Sequence, residues 1–176
     1  MTFEEPNMGL LRHHDDEPVR RFEMREQLLA IGDDSWITDE SGQKAFRVDG
    51  KVARVRDTWL LKDSSDNEVA EIKERKLTIR DKMHMVVRGK DATVTKRIVG
   101  IRDHFKIEID GQSDLSAHGN VVDHEYEIEQ DGNKVAEVSK RWFRVRESYG
   151  VEIIGAADPA LILAITVAID GMTRDH

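Results

Sequence analysis

The chain has 176 residues, 35% of them charged, with 27 basic against 35 acidic side chains and a formal charge of -8. This balance disfavours generic attraction to nucleic acid or to anionic membranes, and the absence of cysteine excludes disulfides, thiolate metal ligands and a cysteine nucleophile. The length suits one domain, and an opening stretch without a continuous apolar run has no secretory signal, so a cytoplasmic protein is expected.

Residues 1–22 mix acidic and basic side chains with two prolines and show no sustained periodicity, which reads as a flexible N-terminal tail. From Glu23 the chain changes to short runs rich in Val, Ile, Thr and aromatics. Turn residues break them at Gly32-Asp33-Asp34, Ser41-Gly42, Asp49-Gly50, Asp63 to Asn67, Gly89-Lys90-Asp91, Asp110-Gly111, Gly119-Asn120 and Asp131-Gly132-Asn133. Asp-Gly is the strongest of these signals, because both residues tolerate the positive φ of tight hairpin turns. Between the turns the apolar residues alternate: Met83, Met85 and Val87 share one parity, as do Ile107 and Ile109. About twelve short strands fit between Glu23 and Ile154, and connections this short permit only antiparallel neighbours. The expected fold is mostly β, a single domain over 23–176.

An internal repeat runs through this region. Residues 67–87, NEVAEIKERKLTIRDKMHMVV, align without a gap on 133–153, NKVAEVSKRWFRVRESYGVEI. Val69, Ala70, Glu71, Arg75 and Arg80 recur as Val135, Ala136, Glu137, Arg141 and Arg146. Two amphipathic meanders of similar composition would be the alternative to a duplication. Parity points Ala70, Ile72, Leu77 and Ile79 inward with their counterparts Ala136, Val138, Phe143 and Val145. It leaves Lys76, Thr78 and Arg80, and Trp142, Arg144 and Arg146, on the outer face.

The chain ends with DPALILAITVAID, Asp158 to Asp170, whose interior carries no charge and one hydroxyl, Thr166. Asp158 suits an N-cap and Pro159 the first helical position, so a helix over about 158–170 is expected, with a strand over ILAITVAI as the other reading. A helix apolar on every side must be buried on every side, in lipid or in protein. Crossing a bilayer takes about 20 apolar residues, and a shorter run with aspartates at both ends favours a protein interior and no transmembrane span. Thirteen helical residues and six strand residues both extend about 20 Å, so the helix fits inside a closed antiparallel barrel.

The segments MREQLLAIGDDSWITDESGQKAFRV, VAEI and VAEVSK, YGVEI and LILAITVAID, in that order and spacing, resemble the LURP-one-related family. The resemblance implies the tubby C-terminal-like fold shared with the phospholipid scramblases, a twelve-stranded barrel around a hydrophobic C-terminal helix. It implies no reaction.

Chemistry is sparse. No nucleophile elbow, phosphate-binding P-loop or dinucleotide fingerprint occurs, so no catalytic residue is nominated and a non-enzymatic protein is expected. His104, His118 and His124 with Asp103, Asp123 and Glu125 lack metal-site spacing and read as solvated turn residues, so neither metal nor cofactor is expected. The remaining candidates are basic. Arg80, Arg144 and Arg146 beside Trp142 could hold an anionic phospholipid headgroup, the other reading being ion pairs on a solvated wall. The sequence therefore leads to a cytoplasmic binding module, monomeric by default, with an anionic phospholipid or a protein as partner. The alternatives are a scramblase-like protein inserting its C-terminal helix, or a protein interaction scaffold.

Overall fold

The computed structural model describes residues 17–26, 34–49, 58–74, 82–99, 102–143 and 147–174. Twelve strands follow one another: β1 Val19–Arg25, β2 Ser35–Asp39, β3 Lys44–Asp49, β4 Thr58–Asp63, β5 Glu68–Glu74, β6 Lys82–Val87, β7 Lys90–Val99, β8 Arg102–Ile109, β9 Leu115–Asn120, β10 Glu125–Gln130, β11 Asn133–Ser139 and β12 Ser148–Ile154. Each pairs antiparallel with its neighbour in sequence, and β1 closes on β12, Phe22 lying opposite Val151. Closure leaves no sheet edge. β1 starts at Val19, and Phe22 is already a core residue, so the barrel begins before the boundary that composition suggests.

Local sequence explains the turns at one end of the barrel. Arg88-Gly89 and Asp131-Gly132 each carry two consecutive positive φ values, the two-residue turn whose twist matches that of the flanking strands. The turn expected at Gly119-Asn120 falls later, over Val121 to His124. Gly119 is instead a strand residue where a Cβ would lie 2.6 Å from the Glu125 carbonyl oxygen.

The repeat is structural as well as sequential. In β5–β6 Ala70 faces Val87 and Ile72 faces Met85; in β11–β12 Ala136 faces Ile153 and Val138 faces Val151, the same register in the same alignment. The bulges recur too. The β4–β5 register shifts after Leu61, leaving Val69 as the extra residue, and the β10–β11 register shifts after Ile128, leaving Val135. The correspondence extends round the barrel: Phe22 opposite Asp39 in β1–β2 matches Ala92 opposite Ile109 in β7–β8. Val48 opposite Leu61 matches Ala117 opposite Ile128. Strands β1–β6 and β7–β12 are two copies of one six-strand unit related by a pseudo-twofold rotation.

The helix α1, Pro159–Arg174, runs inside this barrel. Asp158 caps it as expected, its Oδ1 accepting from Ala160 N at 3.0 Å, and the Thr166 hydroxyl donates to the Ile162 carbonyl at 3.0 Å. Arg20 of β1 donates to the Gly155 and Ala157 carbonyls at 3.1 and 2.6 Å, which ties the link before the helix to the wall. Residues Ala160 and Ile162 to Met172 are buried against Met24, Ile72, Met85, Phe105, Ile128 and other inward side chains. Among the described residues no helix is long and apolar enough to cross a membrane.

Candidate ligand-binding site at the barrel mouth

One helix cannot fill a pseudo-twofold barrel symmetrically. It lies nearest β5, β6, β7 and β12, and beside its first turns, against β7–β12, the structure holds a cavity of about 890 Å³. That size is within the range of small-molecule sites. Apolar side chains of inward parity line it, among them Val87, Ala92, Ile109 and Leu115, together with Leu161 and Ile162 of α1. After Pro159, Leu161 is the one apolar residue of the helix left half-buried, and it faces this space. The copies differ at the bulge. Val69 is buried, whereas its counterpart Val135 is half-buried and lines the cavity.

Charged groups ring the opening. Arg88 Nε donates to Asp158 Oδ2 at 3.0 Å, so the N-cap carboxylate also holds the rim. Lys134 is drawn outward by Glu137 at 2.7 Å and Glu127 at 3.2 Å, and those hydrogen bonds, that to Glu137 first, raise its pKa above the usual lysine range. Lys90 sits opposite Val87, at a position of inward parity, and has no ion pair among the described residues. The arrangement sets an apolar interior beside a charged rim.

The opposite end of the barrel holds a buried polar cluster. Tyr149 Oη donates to Asp170 Oδ2 at 2.5 Å, His124 Nε2 lies 3.4 Å from Asp170 Oδ1, and the His124 ring stacks on Tyr149 at 4.1 Å. Burial, with Asp170 nearby, pushes the Tyr126 hydroxyl well above the ordinary tyrosine range. The Tyr126 hydroxyl has no hydrogen-bond partner of ordinary geometry among the described residues, while the nearby Thr166 hydroxyl donates to the Ile162 carbonyl. This cluster fastens the last turns of α1 to the β9–β10 turn and to β12. His124 is thus an interior group, contrary to its expected place in solvent; its side chain is 14% exposed.

Of the basic candidates, Arg80, Arg144 and Arg146 lie outside the described residues, as do Lys76, Leu77, Thr78, Ile79 and Val145. Trp142 is described, and it is not on a strand. Lys140–Trp142 form a 3₁₀ turn after β11, and the indole packs over Gly150, where a Cβ would come within 2.9 Å of it. The Arg21 guanidinium stands 6.0 Å from the ring centroid. Lys140 and Arg141 beside it pair with Glu26 at 2.8 Å and Glu137 at 2.6 Å, as expected of a solvated wall.

Sequence reasoning did not find the cavity, because Lys90, Val135 and Leu161 belong to it only through the bulge and the off-centre helix. The one available signal was the repeat, which places two equivalent strand units around a single helix.

A closed twelve-stranded antiparallel barrel enclosing one C-terminal helix defines the structural class. The profile of the LURP-one-related family matches residues 20–170, and the chain belongs to that family. The uncharacterised protein YxjI of Bacillus subtilis is 24% identical over 153 residues, which cover 84% of this chain and 90% of YxjI. An X-ray structure of a protein from Arabidopsis thaliana superposes with a TM-score of 0.66 at 16% identity, covering 89% of this chain and 92% of that one, and thus shows the same fold.

Proposed function

We propose that this protein is a non-enzymatic cytoplasmic binding module that takes a single amphipathic ligand of the phospholipid class at the barrel mouth. The cavity carries this reading: about 890 Å³, apolar where Leu161 and Val135 face it, with charged groups at the opening. The apolar chain of the ligand lies beside α1, and its headgroup meets Arg88, Lys90 and the polar residues of the rim. Resemblance to tubby-like barrels supports a lipid by analogy of fold alone. Recognition of an anionic headgroup by Arg80, Arg144 and Arg146 beside Trp142 is a separate proposal, because Trp142 follows the end of β11 opposite to Asn133–Val135, which line the cavity.

The test is titration with a fluorescent single-chain phospholipid below its micellar concentration. Saturable uptake of one molecule per chain is expected, and Leu161→Trp, which puts an indole into the cavity beside the first turns of α1, weakens it about tenfold, roughly 1.4 kcal/mol. Uptake that never saturates, or that Leu161→Trp leaves unchanged, would reject the site and turn the search to protein partners.

A further inference from the structure

The outer wall of β8–β10 gathers a second chemistry, outside the cavity and joined to its rim through Lys134. His104 of β8 lies opposite His118 of β9, and His118 lies opposite Glu127 of β10. Glu129, two residues further along β10, shares the outer face with Glu127. His118 Nε2 is 3.2 Å from Glu129 Oε1, and one ligand atom each from His118, Glu127 and Glu129 all lie within 4.8 Å of one another. The His104 ring lies nearly parallel to the His118 ring, with centroids 6.4 Å and planes 9° apart.

The charge arrangement leaves room for a cation. Glu127 and Glu129 stand side by side, and among the described residues Glu129 has only the imidazole of His118 as side-chain partner. Lys134 serves Glu127 at 3.2 Å but holds Glu137 more closely, at 2.7 Å, so it keeps a carboxylate when Glu127 turns away. We propose that His118, Glu127 and Glu129 form a binding site for a divalent transition-metal ion, Zn²⁺ by the donor set. One imidazole nitrogen with two carboxylate oxygens suits Zn²⁺, whose bonds to such ligands are about 2.0 to 2.2 Å, whereas Ca²⁺ and Mg²⁺ prefer oxygen alone. The ligands project from adjacent strands of a closed barrel, so only side-chain rotation is needed to bring them onto the ion. Three protein ligands leave a fourth position open to water or to a donor from a bound partner.

Isothermal titration of the untagged, chelator-treated full chain with Zn²⁺ tests the proposal, alongside His118→Ala and Glu129→Gln. One strong site is expected, with affinity reduced at least about tenfold in each variant. Mg²⁺ in large excess should not displace the ion. Since His118 and Glu129 are partly exposed, their substitution should leave the melting temperature nearly unchanged, and Cu²⁺ bound in place of Zn²⁺ should show nitrogen hyperfine coupling that His118→Ala removes. No strong binding, binding that both substitutions leave intact (uptake by His13 and His14, for example), or displacement by Mg²⁺ would each overturn it.

Discussion

Asp170 is 2% exposed in the last turns of α1; its Oδ2 accepts from the Tyr149 hydroxyl, and its Oδ1 lies 3.4 Å from His124 Nε2 without a hydrogen bond of ordinary geometry. Buried polar groups are costly when one partner is removed and cheap when the set is complete, so the contact should be visible in stability. Tyr149→Phe is expected to cost about 2 kcal/mol in urea unfolding. Tyr149→Phe introduced into Asp170→Asn should cost clearly less than in the wild type, since the two share one interaction; additive losses would show that the contact contributes little. A turn carboxylate gives the pH counterpart. Asp63 accepts from Asn67 Nδ2 at 3.0 Å, from Asn67 N at 3.0 Å and from Ser65 N at 2.9 Å, and these bonds, that of the Asn67 side chain first, lower its pKa. A depressed folded-state pKa contributes stability that is present above the unfolded value, about 3.9, and is lost as pH falls through the folded value. Asp63→Asn should therefore lower the urea midpoint at pH 7, and the two proteins should converge as the medium is acidified below pH 4. A gap constant with pH would assign the effect to turn geometry.

At the scale of the element, the apolar helix was legible because its residue types admit no exposed face, and Asp158 and Pro159 marked its start. Its end was less so: α1 continues to Arg174, past Asp170, because Tyr149 and His124 accommodate the carboxyl within the core. Strand parity was equally readable, as the burial of Met83, Met85 and Val87, and of Ile107 and Ile109, shows. Bulges were not, since an extra residue leaves no mark on composition, and Arg80, Arg144 and Arg146 fall outside the described residues. The helix makes a comparative prediction. Ile165 is fully buried, so Ile165→Asp places an unpaired charge in the core and should cost about 4 kcal/mol or more. Leu161→Asp, in the first turn and facing the cavity, puts a carboxylate near the positive end of the helix dipole and should cost about 1 kcal/mol or less. Melting temperatures of the two variants decide the matter, and equal losses would mean that the mouth is closed around Leu161.

For the whole molecule, the pseudo-twofold relation links fold and candidate site. Two equivalent half-barrels offer two equivalent walls, but the chain supplies a single helix, so packing it against β5–β7 and β12 leaves a cavity beside its first turns, against β7–β12. The sequence shows the duplication in Val69 and Val135, identical residues at equivalent positions of the repeat; it cannot show that one wall is covered and the other is not, because that depends on where a distant helix settles. The same substitution made at both positions should therefore give different results. Val69→Ala removes methyl groups from a packed core and should cost about 2 kcal/mol, whereas Val135→Ala enlarges a space that already exists and should cost about 0.5 kcal/mol. The reverse change sharpens the contrast: Val135→Phe has room to fill and should raise the melting temperature, while Val69→Phe overpacks and should lower it. If the two positions respond alike, the helix is centred in solution and the cavity that supports ligand binding is shared between both walls. If they differ as expected, α1 is off-centre in solution, and Val135→Phe becomes a second way, beside Leu161→Trp, to test the proposed lipid uptake without unfolding the barrel.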